Sequence, residues 1–306
     1  METVLDGDAH GGVPIAVHDH GGDGPPLLLL HGAGGNLRNW DPILPHLHGV
    51  RPVTVDLRGH GRSGDGPWTW KTVLDDLERV TTTLGLGEAA VAGHSLGGMI
   101  AGLWAARHPA CPAAISLDGH RAAETHPANY PGLDPGQVTR DLAVLREMFT
   151  RQAEAMTRTM TPEQAEQFLD GQRAWAAAQQ ADPESWVAAM RRNLHPADGG
   201  GLRPRPGPEV TAALRDLPEF ADALPAFRDV TVPFLIVNAT RNPPVPPHLV
   251  PLMDAYRAGL RRDLAALAAE RPNIEIHEID AGHGMTAERP KEVATLITEF
   301  IDRHTP

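Results

Sequence analysis

Ala89-Ala90-Val91-Ala92-Gly93-His94-Ser95-Leu96-Gly97-Gly98-Met99-Ile100 is the stretch on which the fold turns. The short apolar run Ala89 to Ala92 reads as a buried strand. The apolar segment from Leu96 to His108 reads as a helix stopped by Pro109. Gly93-His94-Ser95-Leu96-Gly97 between them fits the pattern G-x-S-x-G of a strand-to-helix elbow. A serine on so sharp a turn sits in strained backbone, so the residues two before and two after it must be small, and Gly93 and Gly97 meet that demand. The turn lifts Ser95 above the carboxyl edge of a sheet. The helix behind it offers unpaired N–H groups and the positive end of its dipole. Ser95 is therefore the candidate nucleophile.

Two further stretches complement it. His31-Gly32-Ala33-Gly34-Gly35 follows the apolar run Pro26 to Leu30, itself read as a strand. A serine that attacks a carbonyl needs donors aimed at the developing oxyanion, one from the residue after the nucleophile and one from the loop after such a strand. Leu96 and Ala33 hold those positions. A phosphate-cradling loop would close on Gly-Lys-Ser/Thr, but Asn36-Leu37 stands there. Ala281-Gly282-His283-Gly284-Met285 follows the last apolar run, Ile274 to Ile279. A histidine at that edge, late in the chain, is the expected general base. His94 is expected to point away from the reacting edge, and His60 to pack within a turn.

Apolar runs and helical patterns alternate along the chain, which predicts an α/β fold with a mostly parallel sheet. Strands are predicted at Val13–His18, Pro26–Leu30, Pro52–Asp56, Ala89–Ala92, Ala113–Leu117, Pro233–Val237 and Ile274–Ile279. Helices are predicted at Asn36–Leu47, Trp70–Leu84, Leu96–His108, His248–Ala269 and Pro290–Arg303. From Gly119 to Arg228 no strand-like run is visible. Asp134-Pro135, Thr161-Pro162 and Asp182-Pro183 each read as a helix cap followed by proline in the first turn, and Ala197 to Pro208 reads as a loop. The economical division is a core made of residues 1–118 and 229–306, interrupted by a helical cap or lid at 119–228, too long for a plain loop.

The ordered set His31-Gly32, Asp56 through Arg62-Ser63, Gly93-His94-Ser95-Leu96-Gly97-Gly98 and Gly282-His283 resembles the α/β-hydrolase family, of the serine-nucleophile type with a helical cap. The resemblance covers the two core segments and not the insertion. It implies an α/β-hydrolase fold whose central sheet is flanked by helices, with the insertion after the sixth strand covering the active site. The family usually places an acidic residue just after the strand read here as Pro233–Val237, where Asn242 stands instead. Asparagine supplies no charge to an imidazolium, and loss of that carboxylate costs about 10⁴ in turnover in the worked serine-protease case. Asp118, at the end of the preceding strand, occupies a position where some members carry their acid. It is the expected orienting acid; Asp280 lies too near His283 along the chain to bend back onto the ring.

These residues imply acyl transfer without a cofactor or metal. Ser95 attacks, His283 takes and returns the proton, Asp118 orients the ring, and the N–H groups of Ala33 and Leu96 hold the oxyanion. The insertion carries Met148, Phe149, Met156, Met160, Phe168, Trp175, Trp186 and Met190. With Trp40 and Met99 beside the oxyanion loop and elbow, they suggest a small, largely apolar ester or lactone as substrate. The pocket assigned from sequence is Trp40, Met99, Met148, Trp175 and Trp186. Two readings stay open beside this one: carbon–carbon cleavage of a diketone, or cyclisation, with the same residues, and a small-molecule receptor that turns over slowly or not at all. An aspartate in place of Ser95, as epoxide hydrolases and dehalogenases require, is absent.

Composition bounds the rest. The 306 residues carry a net charge of −12, which argues against a nucleic-acid partner. The single cysteine, Cys111, excludes an intrachain disulfide and a thiolate zinc cluster. Met1 to His10 lacks the pattern of a signal peptide, and apolar stretches such as Leu27–Leu30 are far too short to cross a bilayer. No membrane partner and a cytoplasmic location are expected, and a homodimer is compatible with the sequence. Lysine occurs only at 71 and 291 while arginine, alanine, glycine and proline abound, a composition typical of a GC-rich bacterial genome.

Overall fold

The computed structural model describes the backbone of residues 1–8, 11–156, 158–178 and 181–305; the side chains of residues 152–156, Met156 included, lie outside the described residues. The order opens with strands β1 (Glu2–Leu5), β2 (Ile15–Asp19), β3 (Pro26–Leu30) and β4 (Arg51–Val55). Helix α1 (Trp70–Thr83), β5 (Ala90–His94), α2 (Leu96–Arg107) and β6 (Ala114–Leu117) follow. Then come the inserted helices α3 (Pro135–Met156), α4 (Pro162–Ala178) and α5 (Pro183–Arg192), a small hairpin of β7 (Leu194–Pro196) and β8 (Leu202–Pro204), and helices α6 (Pro208–Arg215), α7 (Pro218–Ala221) and α8 (Leu224–Phe227). The chain closes with β9 (Phe234–Ala239), α9 (Val250–Glu270), β10 (Ile274–Ile279), α10 (Met285–Glu288) and α11 (Pro290–His304).

Among the described residues, eight strands form one sheet in the order β1-β2-β4-β3-β5-β6-β9-β10. The β1–β2 and β2–β4 pairs are antiparallel and the others are parallel. The central strands are apolar on both faces, as parallel strands covered by crossover helices must be. Alternation splits each strand between two cores. Leu28, Leu30, Val91 and Ile236 face one layer, where Val73, Leu77 and Val80 of α1, Ile100 and Trp104 of α2, and Leu260 and Leu264 of α9 meet them. Leu27, Leu29, Ala92 and Val237 face the other, against Trp40, Ile43 and the α11 residues Val293, Ile297 and Phe300. Each such large side chain contributes about 1.5–3 kcal/mol relative to exposure.

The parallel strands end at one edge in register. His94 of β5 lies opposite Leu117 of β6, and Leu117 opposite Val237 of β9. The residues just beyond those ends, Ser95 and Asp118, are therefore neighbours: Ser95 N donates to Leu117 O at 2.9 Å and Asp118 N to Val237 O at 2.8 Å.

Several sequence expectations require correction. The insertion is not free of strands, because β7 and β8 pair antiparallel within it. At three residues each they are too short to show a period-two pattern, and Gly199, Gly200 and Gly201, all at positive φ, reverse the chain between them. Part of the predicted loop 197–208 is thus β8. The predicted helix Asn36–Leu47 is two 3₁₀ turns, Leu37–Trp40 and Leu44–His46; Pro42 and Pro45 remove the N–H groups a continuous α-helix would need. The edge strand β1 escaped notice because it is short and half exposed. All three cap–proline starts are present: Asp134, Thr161 and Asp182 each accept a backbone N–H from the first turn of α3, α4 and α5. No described helix is long and apolar enough to cross a membrane.

The elbow is the tightest point of this framework. A Cβ on Gly97 would stand 2.1 Å from the Leu30 carbonyl oxygen, and one on Gly93 1.9 Å from the Gly97 carbonyl oxygen. Gly97→Ala must push α2 away from β3, a backbone contact that no rotamer change relieves. It is expected to cost about 3 kcal/mol and to lower Tm by about 6 °C or more, read by thermal denaturation. An unchanged Tm would show that the contact is soft.

Candidate active site

Ser95 occupies the turn between β5 and α2 with φ 54° and ψ −119°. Among the described residues, the only other non-glycine at positive φ is Asp118, at 48°. Such conformations cost of order 1–3 kcal/mol each and concentrate at functional positions. Here they mark two side chains at the ends of adjacent strands. His283 arrives from the loop after β10. Its Nε2 lies 3.0 Å from Ser95 Oγ and its Nδ1 lies 2.7 Å from Asp118 Oδ2. The three residues assigned from sequence are brought into one hydrogen-bonded line.

Asp118 is 8% exposed. Burial alone would raise its carboxyl, but the hydrogen bonds and charges of His120 and His283 outweigh that and hold it well below the usual carboxylate range. Its Oδ1 accepts from the Ala239 N–H at 3.0 Å. His120 was not anticipated from sequence: its Nδ1 accepts from Arg121 N, which leaves the proton on Nε2, 3.3 Å from Asp118 Oδ1. Arg257 adds a guanidinium 4.0 Å away while donating to Ala239 O. The carboxylate is thus fixed as an anion whose second oxygen faces His283.

Asn242 takes no part in this line. Its Nδ2 donates to Asp254 and its Oδ1 accepts from Arg257 Nε. Asp280 points outward to Arg241 and Arg289.

The loop after β3 is a tight turn in which Gly35 N donates to Gly32 O at 2.9 Å and Gly34 adopts φ +74°. Gly32 lies against the elbow, where a Cβ on it would come within 3.1 Å of Ser95 Cβ. His31 fixes the direction of this turn. Burial pushes its imidazole down to about 4, so it is neutral. Nδ1–H donates to Gly32 O at 2.8 Å while Nε2 accepts from Leu57 N at 3.0 Å. In a trans peptide the C=O and the following N–H point in opposite directions. With Gly32 O bound by two donors, the Ala33 N–H faces the other way. Leu96, the first residue of α2, has an N–H free of intrahelical bonding. Among the described residues neither N–H has a protein acceptor.

His94 departs from expectation. It does not point away from the reacting edge: Nε2–H donates to the backbone carbonyl of His283 at 2.7 Å, and the two rings stand 4.9 Å apart. Burial lowers its imidazole to about 4 and so keeps it neutral. The residue before Ser95 therefore braces the loop that carries His283, a contact over 189 residues of sequence that no local pattern reveals. His60 is a packing residue, buried beside His31 with its Nδ1 on Arg58 O.

A cavity of about 620 Å³ opens beside the loop after β3, with Ala33 and Gly34 on its wall. The insertion supplies Phe149, Phe168, Trp175, Trp186 and Met190 to the lining, with Glu124, Arg205 and Arg215 as charged members. Trp175 and Trp186, assigned to the pocket from sequence, stand there with rings 4.9 Å apart. Trp40, Met99 and Met148 do not. Trp40 is buried in the core on the opposite face of the sheet. Met99 is enclosed in the core under α2. Met148 sits a turn beyond Leu142 and Leu145 on α3 and packs with them onto that same core. Among the described residues no group of three or more histidine, cysteine, aspartate or glutamate side chains is arranged to hold a metal.

Comparison with known proteins agrees with this geometry. A profile of the alpha/beta hydrolase family matches residues 27–296. The chain is 28% identical over 289 residues to the 2-(acetamidomethylene)succinate hydrolase of Mesorhizobium japonicum, covering 92% of this chain and 89% of that one. It is 26% identical over 256 residues to the pimeloyl-[acyl-carrier protein] methyl ester esterase of Neisseria meningitidis, covering 80% and 86%. Matches at higher identity are shorter, and the chain spans only 40% and 49% of two such relatives. The crystal structure of E-2-(acetamidomethylene)succinate hydrolase superposes with a TM-score of 0.68 at 22% identity over 99% of this chain and 100% of that one, a likeness of fold. With its elbow, its sheet order and a family match from the third strand to the last helix, this chain belongs to the alpha/beta hydrolase family.

Proposed function

We propose that the protein is a serine hydrolase that cleaves an ester or lactone of a small, largely apolar substrate through an acyl-enzyme on Ser95. The observation that carries this reading is the line Ser95 Oγ–His283–Asp118, with distances of 3.0 and 2.7 Å, beside two N–H groups free to receive an oxyanion. Ser95 Oγ attacks the carbonyl carbon as His283 Nε2 takes its proton; the carbonyl oxygen becomes an oxyanion held by Ala33 and Leu96. Collapse expels the alkoxide, which leaves with the proton from His283. Water then repeats the sequence, releasing the acid and restoring Ser95. Asp118 keeps the proton of the neutral ring on Nδ1 and stabilises the imidazolium. No step calls for a cofactor.

The inserted segment 119–228 acts as the cap in this reading. Its aromatic and methionine side chains form most of one side of the cavity, whose walls favour an apolar or aromatic substituent. Because the cavity meets the site at Ala33 and Gly34, the substituent it holds enters from the oxyanion side.

Three measurements test the proposal. A fluorophosphonate probe should label the protein once, at Ser95 by peptide mass spectrometry, and Ser95→Ala should abolish labelling; modification elsewhere would remove the nucleophile from the reading. Asp118→Asn should lower kcat about 10³–10⁴-fold, while Asn242→Ala should stay within about threefold of wild type; the reverse pattern would move the acid to Asn242's neighbourhood. A panel of p-nitrophenyl esters, lactones and ring-cleavage diketones should give its highest kcat/KM with esters or lactones. Preference for diketones would reassign the reaction to carbon–carbon cleavage, and labelling without turnover of any substrate would favour a receptor.

A further inference from the structure

Helix α5 of the insertion ends at Arg192, and Asn193 carries the chain into β7. Asn193 is 5% exposed, and its side chain lies within the core rather than within the insertion. Nδ2 donates to Gly34 O at 2.7 Å, with Gly35 O at 3.5 Å. Oδ1 accepts from Asn36 Nδ2 at 3.0 Å and from Gly61 N at 3.2 Å. One amide thus bridges the exit of the oxyanion turn to the turn after β4.

Its neighbour anchors it. Arg192 binds Asp56 through Nε at 2.9 Å and Nη2 at 2.8 Å, and Glu2 through Nη2 at 2.9 Å. Asp56 also receives Leu37 N and Arg62 N, each at 2.7 Å. Asn36 Nδ2, besides meeting Asn193, donates to Ala189 O on α5 at 2.7 Å. The end of α5 is therefore held to the core by a buried polar plug of Asn36, Asp56, Arg192 and Asn193, with the partly exposed Glu2 at its rim.

The turn it grips needs such support. Gly32, Gly34 and Gly35 leave the backbone from 32 to 35 with little intrinsic preference. His31 secures its entrance through Gly32 O, but its exit is secured by Asn193 through Gly34 O. A rotation of the Gly34–Gly35 peptide would be transmitted through Gly34 and Ala33 to the Ala33 N–H. That donor works only if it lies within a few tenths of an ångström of its place when the oxyanion forms.

We propose that Asn193 is a positioning residue for the oxyanion hole, so that the inserted segment sets the alignment of the Ala33 N–H as well as the shape of the cavity. The inference rests on the serine-hydrolase reading and deepens it. It has a corollary for specificity, because α5 also supplies Trp186 and Met190 to the cavity wall. A substituent that packs against those side chains presses on the same helix that ends in Asn193, so its fit is felt in kcat and not only in binding.

The test compares wild type with Asn193→Ala and the nearly isosteric Asn193→Asp, which keeps an acceptor toward Asn36 and Gly61 and loses the donor to Gly34 O. With p-nitrophenyl butyrate, both variants should lose about 10–100-fold in kcat, less than the 10²–10³ of a deleted donor, with KM within about threefold. Affinity for butylboronic acid, which forms a tetrahedral adduct on the serine, should fall by the same factor as kcat. Affinity for butyramide, a trigonal and unreactive analogue, should not change. Asn193→Gln, which keeps a donor on a longer arm, should recover part of the loss.

Unchanged kcat and boronate affinity in a folded variant would overturn the inference. So would parallel losses in kcat, boronate and butyramide affinity accompanied by a fall in Tm, or failure of both the Ala and Asp variants to fold, since either outcome assigns Asn193 to the fold alone. Absence of serine labelling and turnover in the wild type would instead remove the underlying reading.

Discussion

The contact on which the site depends is steric: β5 must turn into α2 with no room for a side chain at either glycine of the elbow. Gly97 meets the carbonyl of Leu30, and Gly93 meets the carbonyl of Gly97. This closeness holds α2 against the central strands and forces Ser95 into a backbone conformation that a residue with a Cβ rarely adopts. The strain is borne by burial on both sides, since Leu96, Ile100, Ala101 and Ala105 of α2 are fully enclosed. The same sheet edge imposes positive φ on Asp118 one strand over. The registers of β5, β6 and β9 place the serine and the carboxylate; the loop after β10 then has only to deliver an imidazole between them.

Around this frame the histidines divide by electrostatic environment. Burial lowers the imidazoles of His31, His60 and His94 enough to keep them neutral near neutral pH, so each offers one donor and one acceptor of fixed sense. His31 spends both on backbone, one on the oxyanion turn and one on Leu57. His94 spends its donor on the carbonyl of His283. His283 is different, with a side chain 56% exposed and a buried anion 2.7 Å behind it. Three neutral histidines thus shape the site around one imidazole that faces solvent on one side and a buried carboxylate on the other.

How much of this was legible in sequence depended on whether the determinant was local. Ser95, Ala33 and Leu96 follow from short motifs whose geometry is set within a few residues, and the strands Pro26–Leu30 and Ile274–Ile279 coincide with apolar runs of strand length. Asp118 was legible by a different route, as a carboxylate at a strand end when the customary position held Asn242. The insertion resisted. Its helices announced themselves through proline-preceding caps, but β7 and β8 are too short to carry a period. The destinations of its side chains depend on packing: Met148 and Trp175 lie on neighbouring helices with similar chemistry, yet one enters the core and the other the cavity wall. His94, His120 and Arg257 were missed because their partners lie across the fold or, for His120, because nothing in the sequence says which way the ring turns.

The insertion's docking carries a last consequence for how such an enzyme can open. If substrate entered by the whole inserted segment swinging away, Arg192 would leave Asp56, which would remain buried with a charge and only backbone donors. Breaking a buried ion pair by removing one partner typically costs about 3–5 kcal/mol, and four hydrogen bonds of Asn193 and Asn36 would go with it. Among the described residues, the side-chain hydrogen bonds that tie α4 to another helix run to α5 through Arg173–Glu184, Gln172–Trp186 and Glu166–Arg191, all exposed or half-buried, whereas α3 packs Val138, Leu142 and Leu145 onto the core. Under the proposed function, a motion that admits substrate at the least cost in buried contacts falls on α4, while α3 and α5 stay with the core. On this argument the cavity has one fixed wall, carrying Trp186 and Met190 of α5 and Phe149 of α3, and one less tightly held wall on α4, carrying Phe168 and Trp175. Under the proposed ester or lactone cleavage, recognition of the reacting carbonyl would be rigid and recognition of what lies beyond it adaptable.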